Sequence, residues 1–196
     1  MARVLGITGG IGSGKSYVSR FFESLGCPRY DSDSRTKMLY QQDKGLLSAL
    51  AALLGPGILG PDGLNRKAMA SIIFSDKELL EKVKQLVYPY VMGDFKKWKR
   101  WKRGVVLFES AVILENDYVR SFMDRTLVVT APLEVRIGRV MERDGCTREE
   151  VEQRLRNQCD DSERIRKADF VIENVEGTDL KAEAEEIISF MKAVKR

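Results

Sequence analysis

The chain has 196 residues, of which 43% are hydrophobic and 32% are charged, with a formal net charge of +4. This length predicts one core domain, and the composition is that of a globular protein rather than a disordered one. No apolar run approaches the roughly 20 residues that a membrane-spanning helix needs, and the lack of histidine excludes Ser-His and Cys-His catalysis and His-ligated metal.

Cysteine usage and the N-terminus indicate the compartment. Cys27, Cys146 and Cys159 are odd in number and far apart, which favours free thiols over a zinc site or a disulfide framework. The N-terminus lacks the charged and apolar regions of a secretory signal, so we expect a cytoplasmic protein. The modest positive charge fits either a nucleic acid or a polyphosphate as partner.

Short apolar runs that alternate with helical patterns predict an α/β fold. Residues 4–7 form an apolar run that ends in glycines, as a buried strand does. Residues 17–25 then carry apolar side chains at helical spacing, and Gly26 ends this predicted helix. Strands separated by helices favour a parallel sheet. Further strands are predicted at residues 28–30, 105–108, 127–129 and 170–172.

Residues 34–104 have a different pattern and predict a mostly helical insert between the second and third strands. Helices are predicted at residues 38–54, 67–74 and 77–101, with an interruption near Pro89 in the last. Glycine and proline clusters at residues 55–63 separate the first two. An insert at the ligand edge of an α/β sheet commonly forms a substrate lobe.

Three helices are predicted after the strand at residues 127–129. Pro132 opens a helix that runs to about Arg143, and Thr147 with Glu150 forms a capping-box pattern at the start of the next. The last predicted helix covers residues 180–194. Its apolar side consists of Ile187, Ile188, Phe190 and Met191.

The most specific motif is the run GGIGSGKS at residues 9–16, which matches G-x-x-x-x-G-K-[ST] between a predicted strand and a predicted helix. Glycines allow such a loop to wrap around phosphates with its backbone N–H groups inward, and the helix N-terminus adds positive potential. Lys15 is then expected to reach the β- and γ-phosphates, and the Ser16 hydroxyl to bind Mg²⁺. GTPases, motors and kinases share this loop, so other residues must decide between them.

Carboxylates follow two of the predicted strands. Asp31 and Asp33 come after the second strand, where either can orient an acceptor hydroxyl and take its proton, or simply cap a helix. Glu109 follows the third strand, where it suits a role toward Mg²⁺ or is only a charge at the strand end.

Two basic segments allow both a functional and a structural interpretation. One helix face carries Arg136, Arg139 and Arg143. These arginines suit a lid that closes over ATP, in which Arg139 contacts a phosphate. The alternative is a solvated face on which they pair with glutamates. The run at residues 95–103 alternates cations with aromatics, as in single-strand binders, but its Phe and Trp residues at three-residue steps favour an inward-facing helix side.

These motifs together resemble the dephospho-CoA kinase family over almost the whole chain. Residues 6–16 resemble its opening strand and P-loop, and Tyr-Asp-Ser-Asp at residues 30–33 resembles its D-x-D segment, whose second aspartate is the proposed base. Residues 62–67, followed by Ile-Phe-Ser-Asp at residues 73–76, are similar to its CoA-binding lobe. The resemblance thus favours Asp33 as the base.

The C-terminal part carries the resemblance further. Residues 139–145, with Arg154 and Gln158, resemble the family's lid, and residues 168–174 resemble its A-D-x-V-I-x-N ending, near the expected adenine position. This chain departs from the family pattern at three places. It has Tyr-Pro at residues 88–89, where the family usually has His-Pro, and Ala-Val-Ile-Leu-Glu at residues 111–115, where the family usually has Pro-Leu-Leu-x-E. Tyr17 replaces the small residue that usually follows Lys-Ser.

The resemblance implies a P-loop α/β core with a five-stranded parallel sheet, a helical CoA-binding insert at residues 34–104 and a lid at about residues 136–165. It implies transfer of the ATP γ-phosphoryl group to the 3′-hydroxyl of dephospho-CoA, with Mg²⁺ as cofactor. We expect a monomer or weak homo-oligomer without nucleic-acid or membrane partners. Another P-loop kinase, for a nucleotide or sugar acid, is the alternative, whereas no N-K-x-D motif supports a GTP switch.

The predicted site residues fall into four groups. Catalysis is assigned to Asp33, Lys15 and Arg139. ATP binding is assigned to Gly10, Ile11, Gly12, Ser13, Gly14, Lys15, Ser16, Tyr17, Arg139, Arg143 and Asn174. Acceptor binding is assigned to Asp31, Asp33, Arg66 and Tyr88, and metal binding to Ser16 and Glu109.

Overall fold

The computed structural model describes residues 2–73 and 76–193. The strands are β1 (Arg3–Thr8), β2 (Arg29–Asp31), β3 (Leu59–Gly60), β4 (Gly63–Leu64), β5 (Val105–Glu109), β6 (Arg125–Thr130) and β7 (Phe170–Glu173). The helices are α1 (Lys15–Ser24), α2 (Ser32–Gln42), α3 (Lys44–Leu54), α4 (Arg66–Ile73), α5 (Lys77–Lys99), α6 (Asp117–Arg120), α7 (Leu133–Asp144), α8 (Arg148–Arg156), α9 (Asp161–Lys167) and α10 (Leu180–Ala193).

Within the described residues, one five-stranded sheet has the order β2-β5-β1-β6-β7. β1 pairs in parallel with β5 and β6, and β6 pairs in parallel with β7. Strands buried on both faces read as continuous apolar runs, and Val4, Leu5 and Ile7 of β1 are fully buried. Helices α1 and α10 contribute Val18, Phe22 and other apolar side chains to this core. The predicted α/β fold with a five-stranded parallel sheet flanked by helices is confirmed.

The chain divides into two compact units, one formed by Met1–Tyr30 with Trp101–Arg196 and the other by Asp31–Arg100. The first contains the P-loop and most of the sheet. The second is largely helical, and Arg35 of α2 makes a two-pronged contact there with Asp94 of α5, at 2.8 and 2.7 Å. Bidentate arginine–carboxylate pairs hold two elements in a fixed orientation.

Several elements begin where the sequence predicted them. Pro132 directly precedes α7, and Thr147 forms the predicted capping box with Glu150 at the start of α8.

No helix in residues 2–73 and 76–193 has the length and apolarity needed to cross a membrane. Phe74, Ser75 and Val194, which the sequence predictions included, lie outside the described residues.

The predicted helices of the insert were partly wrong. The helix predicted at residues 38–54 is two helices, because the Asp43 carboxylate accepts from the Leu46 N–H and starts a new helix. Pro89 does not interrupt α5, which is continuous. Burial of valines on either side of Pro89, at Val87 and Val91, offsets the backbone hydrogen bond that proline removes.

Two predicted apolar faces are also only partly buried. Phe95 is buried as predicted, but Trp101 lies beyond the end of α5 and is 83% exposed. On α10, Ile187, Ile188 and Met191 are buried, whereas Phe190 is half exposed and meets Phe170 edge to face. The hairpin of β3 and β4 and the short helices α6 and α9 had no counterpart in the sequence predictions.

Candidate active site

The P-loop lies between β1 and α1, and two of its glycines have backbone conformations that exclude other residues. Gly12 has a φ of 78° and Gly14 a φ of 85°. A Cβ atom at Gly12 would lie 2.4 Å from the carbonyl oxygen of Arg136, and one at Gly14 would lie 2.1 Å from the Asn174 amide nitrogen. The loop can therefore take this shape only with glycine at both positions.

Side chains from the C-terminal half hold the P-loop at Ile11. Its N–H donates to Oε1 of Gln158 over 2.9 Å, and its carbonyl accepts from Nε of Arg136, also over 2.9 Å. Arg136 is only 5% exposed and forms an ion pair with Asp161, and burial lowers the pKa of its guanidinium. The solvated-face alternative is therefore wrong for Arg136, because its guanidinium is buried against the P-loop. Its place in a lid stays a prediction.

A buried carboxylate lies beside the end of the P-loop. Oε1 of Glu109 accepts from the Ser16 hydroxyl at 2.5 Å, and Oε2 accepts from Nη1 of Arg29 at 2.8 Å. Glu109 is 4% exposed at the carboxyl end of β5, where it pairs in register with Ile7 of β1. Arg29 was not among the predicted site residues, although a cation inside a short predicted strand was the available signal.

Ser16 and Glu109 offer a hydroxyl and a carboxylate oxygen, which are ligand types that Mg²⁺ accepts. In the described part of the chain, no group of three or more His, Cys, Asp or Glu side chains could hold a metal ion. Sparse protein ligands of this kind suit Mg²⁺, which keeps several waters and binds substrate phosphates. The residues present therefore fit a Mg²⁺–nucleotide complex.

Arg139 and Asn174 connect α7, the loop after β7 and the P-loop. Nη2 of Arg139 donates to the carbonyl oxygen of Asn174 over 3.0 Å, and Nδ2 of Asn174 donates to the carbonyl oxygen of Ser13 over 2.9 Å. Nη1 of Arg139 is buried and has no hydrogen-bond partner among the described residues. A buried donor of this kind can accommodate an anionic or polar ligand group.

A cavity of 670 Å³ opens next to these residues. This volume lies within the range of small-molecule sites. Its lining comes from Gly14, Tyr17, Phe21, Arg139 and residues 174–181, which form the loop after β7 and the start of α10. The cavity thus combines the end of the P-loop, an aromatic wall and an arginine.

The remaining predicted arginine makes different contacts. Arg143 pairs with Asp144 at 2.8 Å, and Arg154 of α8 pairs with the same carboxylate at 2.7 Å. Both guanidinium groups hold the pKa of Asp144 down at about 2. Arg143 thus pairs within α7, whereas Arg154 connects α8 to the end of α7 through Asp144. The predicted contact of Arg143 with ATP stays a prediction.

The predicted acceptor residues belong to the unit Asp31–Arg100. The Asp31 carboxylate caps α2 by accepting from the Ser34 N–H at 3.0 Å, so the helix-cap interpretation is correct for this residue. Asp33 lies in the first turn of α2, and Tyr88 lies within α5. Arg66 is the first residue of α4.

The charge of Arg66 also affects the pKa of Tyr40 within this unit. Burial raises the pKa of the Tyr40 phenol, and the Arg66 guanidinium acts in the opposite direction.

Comparison with known proteins supports one family. A sequence model described as dephospho-CoA kinase matches residues 3–179. The chain belongs to the dephospho-CoA kinase family. Among its relatives, the dephospho-CoA kinase of Bacteroides fragilis is 34% identical over 193 residues, covering 97% of this chain and 94% of the relative. That of Porphyromonas gingivalis is 40% identical over 155 residues, covering 79% and 76%.

Solved structures agree with the P-loop kinase fold. A Thermus thermophilus protein with 32% identity superposes with a TM-score of 0.81, and the match covers 99% of both chains. The dephospho-CoA kinase of Campylobacter jejuni matches with a TM-score of 0.56 at 23% identity, covering 97% of both chains, and supports the fold alone. The family assignment therefore rests on sequence, while the structures support the architecture around the P-loop.

Proposed function

We propose that this chain transfers the γ-phosphoryl group of ATP to the 3′-hydroxyl of dephospho-CoA, giving ADP and CoA in the final step of coenzyme A synthesis. The observation that carries the proposal is the glycine-shaped P-loop, with Ser16 bound to the buried Glu109, in a chain of the dephospho-CoA kinase family. Phosphoryl transfer depends mainly on positioning and on electrostatic stabilisation, which this arrangement can supply.

The nucleotide half of the reaction falls to the P-loop and its neighbours. Backbone N–H groups of the P-loop bind the phosphates, apart from those of Ile11 and Ser13, which donate to Gln158 and Gly10. The Lys15 ammonium neutralises the β- and γ-phosphates. Ser16 and Glu109 would hold Mg²⁺ with the nucleotide, and the ion would supply charge neutralisation at the phosphates. Arg139 has a buried, unsatisfied Nη1 available for the nucleotide, and Arg143 acts from the lid.

The acceptor half falls to the unit Asp31–Arg100, which includes most of the predicted insert at residues 34–104. Asp33 accepts the proton of the acceptor hydroxyl as it attacks, which is the role of the aspartate in comparable kinases. Asp31, Arg66 and Tyr88 bind dephospho-CoA, with the Arg66 guanidinium facing its phosphates. Tyr88 takes the place of the usual family histidine.

The test is ADP release from Mg-ATP with dephospho-CoA, compared with AMP, adenosine and gluconate as rival acceptors. We expect turnover with dephospho-CoA alone, and loss of that turnover in Lys15→Ala. Turnover with a rival acceptor only would replace this function by another small-molecule kinase activity. An active Lys15→Ala variant would contradict the role given to the P-loop.

We propose that the reaction takes place in the cytoplasm. The protein acts there on ATP and dephospho-CoA as a monomer or weak homo-oligomer, without a nucleic-acid or membrane partner. Free thiols at Cys27, Cys146 and Cys159 support a reducing compartment. Sedimentation at several protein concentrations tests the oligomeric state, since a stable dimer at low concentration would contradict it.

A further inference from the structure

Tyr17 is an aromatic residue in an unusual position. It follows Ser16 directly, in the first turn of α1, and its side chain is 52% exposed although it lies on the wall of the 670 Å³ cavity. Large aromatic side chains that remain exposed in a cavity wall indicate a surface for a ligand. In the family resemblance described above, Tyr17 stands where a small residue is usual.

The Tyr17 ring is held by its neighbour on the same helix. Tyr17 and Phe21 lie four residues apart, with ring centroids separated by 5.1 Å and planes inclined at 82°. This edge-to-face contact stabilises one orientation of the tyrosine ring. The tyrosine ring is therefore preorganised, so less side-chain conformational entropy is lost when a flat ligand binds to it than with a freely rotating ring.

The rest of the cavity wall fits a flat, electron-rich ring attached to phosphates. Arg139 lines the cavity, and its Nη1 atom is buried and has no hydrogen-bond partner among the described residues. Gly14 connects the cavity directly to the P-loop, and the loop from Asn174 lines another part of the wall. Aromatic rings and guanidinium planes both stack on nucleobases.

We propose that Tyr17 is a stacking platform for the nucleobase of the phosphate donor, and that it increases nucleotide affinity without selecting the base. The inference rests on the proposed function only in requiring a nucleotide bound through the P-loop. Stacking accepts every base, because every base has a π-face. Removal of the ring should therefore weaken adenine and guanine nucleotides by the same factor.

The experiment is calorimetric binding of Mg-ADP, Mg-GDP and inorganic tripolyphosphate to the full chain, without an acceptor. In Tyr17→Ala we expect both nucleotides to bind about tenfold more weakly, as expected for one lost base–aromatic stack. Tripolyphosphate, which has no base, should bind unchanged. Tyr17→Phe keeps the ring and should bind both nucleotides as the unmodified protein does.

Tyr118→Ala is the matched control, because Tyr118 is similarly exposed and also contacts a phenylalanine, Phe122, edge to face, but it does not line this cavity. It should leave all three affinities unchanged. Unchanged Mg-ADP affinity in Tyr17→Ala would overturn the proposal, and so would an equal loss of tripolyphosphate affinity, because that result means a distorted P-loop.

These measurements separate the platform from the reaction. A protein that fails to phosphorylate dephospho-CoA but shows the base-dependent loss in Tyr17→Ala overturns the proposed function and supports the platform. A loss of Mg-ADP affinity in Tyr17→Ala without a comparable loss for Mg-GDP overturns the platform, because that pattern requires recognition of the base edge.

Discussion

The side-chain amide of Asn174 donates to the carbonyl oxygen of Ser13, 161 residues earlier in the chain, over 2.9 Å. The same nitrogen lies where a Cβ atom of residue 14 would have to be, so this contact requires the glycine at Gly14. One buried amide thus holds the loop after β7 against the P-loop. Both Gly14 and Asn174 also line the 670 Å³ cavity.

Replacing Asn174 by alanine tests this connection. Asn174→Ala leaves the buried Ser13 carbonyl without its partner, so we expect the free energy of unfolding to fall by about 1–3 kcal/mol and Mg-ADP affinity to fall as well. Urea unfolding and calorimetry measure the two effects. Asn65→Ala is the control, since it removes only the exposed cap on Ala68 N–H of α4 and should leave Mg-ADP affinity unchanged.

Removing the charge of Glu109 tests the proposed metal site. Glu109→Gln keeps the size of the side chain but weakens its attraction for the cation, so we expect the Mg²⁺ concentration that half-saturates ADP binding to rise about 10- to 100-fold. Titration of a fluorescent ADP analogue at increasing Mg²⁺ concentrations measures this half-saturating concentration. Glu23→Gln, the other carboxylate on Arg29, should not shift this value. Equal shifts in both variants would mean that Arg29, rather than Glu109, sets the metal requirement.

The two aspartates at the start of α2 should respond differently to removal of charge. Asp33→Asn removes the proposed base, so we expect kcat to fall by roughly 10²- to 10⁴-fold with Mg-ADP affinity unchanged. Asp31→Asn retains an oxygen that can cap α2, so kcat should change much less while the KM for dephospho-CoA rises. Steady-state kinetics with both substrates distinguish them. Near-normal kcat in Asp33→Asn would remove Asp33 from the mechanism.

The buried support of the P-loop gives a stability prediction. Arg136→Met removes the bond to the Ile11 carbonyl and one partner of Asp161, but Arg164 still pairs with Asp161 at 3.0 Å. We therefore expect a loss of about 1–3 kcal/mol in unfolding free energy rather than the larger cost of an isolated buried charge. Arg148→Met, which breaks only exposed ion pairs, should change stability little. The opposite order in urea unfolding would contradict this account.

The Asp144 carboxylate gives a pH prediction. Its pKa is lowered from 3.8 to about 2 in the folded protein, so it stabilises the fold fully above the unfolded pKa and less as pH falls toward 2. Asp144→Asn removes this contribution. The difference in unfolding free energy between the two proteins should therefore shrink as pH falls below about 4. A difference that stays constant with pH would mean that Asp144 contributes through packing rather than charge.

Local patterns were sufficient for much of the fold. The P-loop was predictable because its glycines, Lys15 and Ser16 are adjacent in sequence and lie between a strand pattern and a helix pattern. The capping box of Thr147 and Glu150 was predictable for the same reason, since its partners lie three residues apart. Such features require only neighbouring residues, and the sequence displays them directly.

Pairs that are distant in sequence were not predictable from pattern. Arg29 contacts Glu109 across 80 residues, and Arg136 contacts Ile11 across 125. Helical spacing placed Arg136 on the same face as Arg139, but spacing does not say whether that face meets solvent or the P-loop. Likewise, the proline at Pro89 predicted an interruption that the buried valines of α5 overcame.

The sequence by itself determined the fold class, the position of the phosphate loop and the family, because these depend on residue type and local order. Only the tertiary structure decided which arginines are buried, that Glu109 is bound by both Ser16 and Arg29, and that Tyr17 lies on the wall of a cavity. These properties depend on which surfaces the folded chain brings together. The free energy of a charged side chain depends strongly on whether it is buried, and residue type alone does not reveal this.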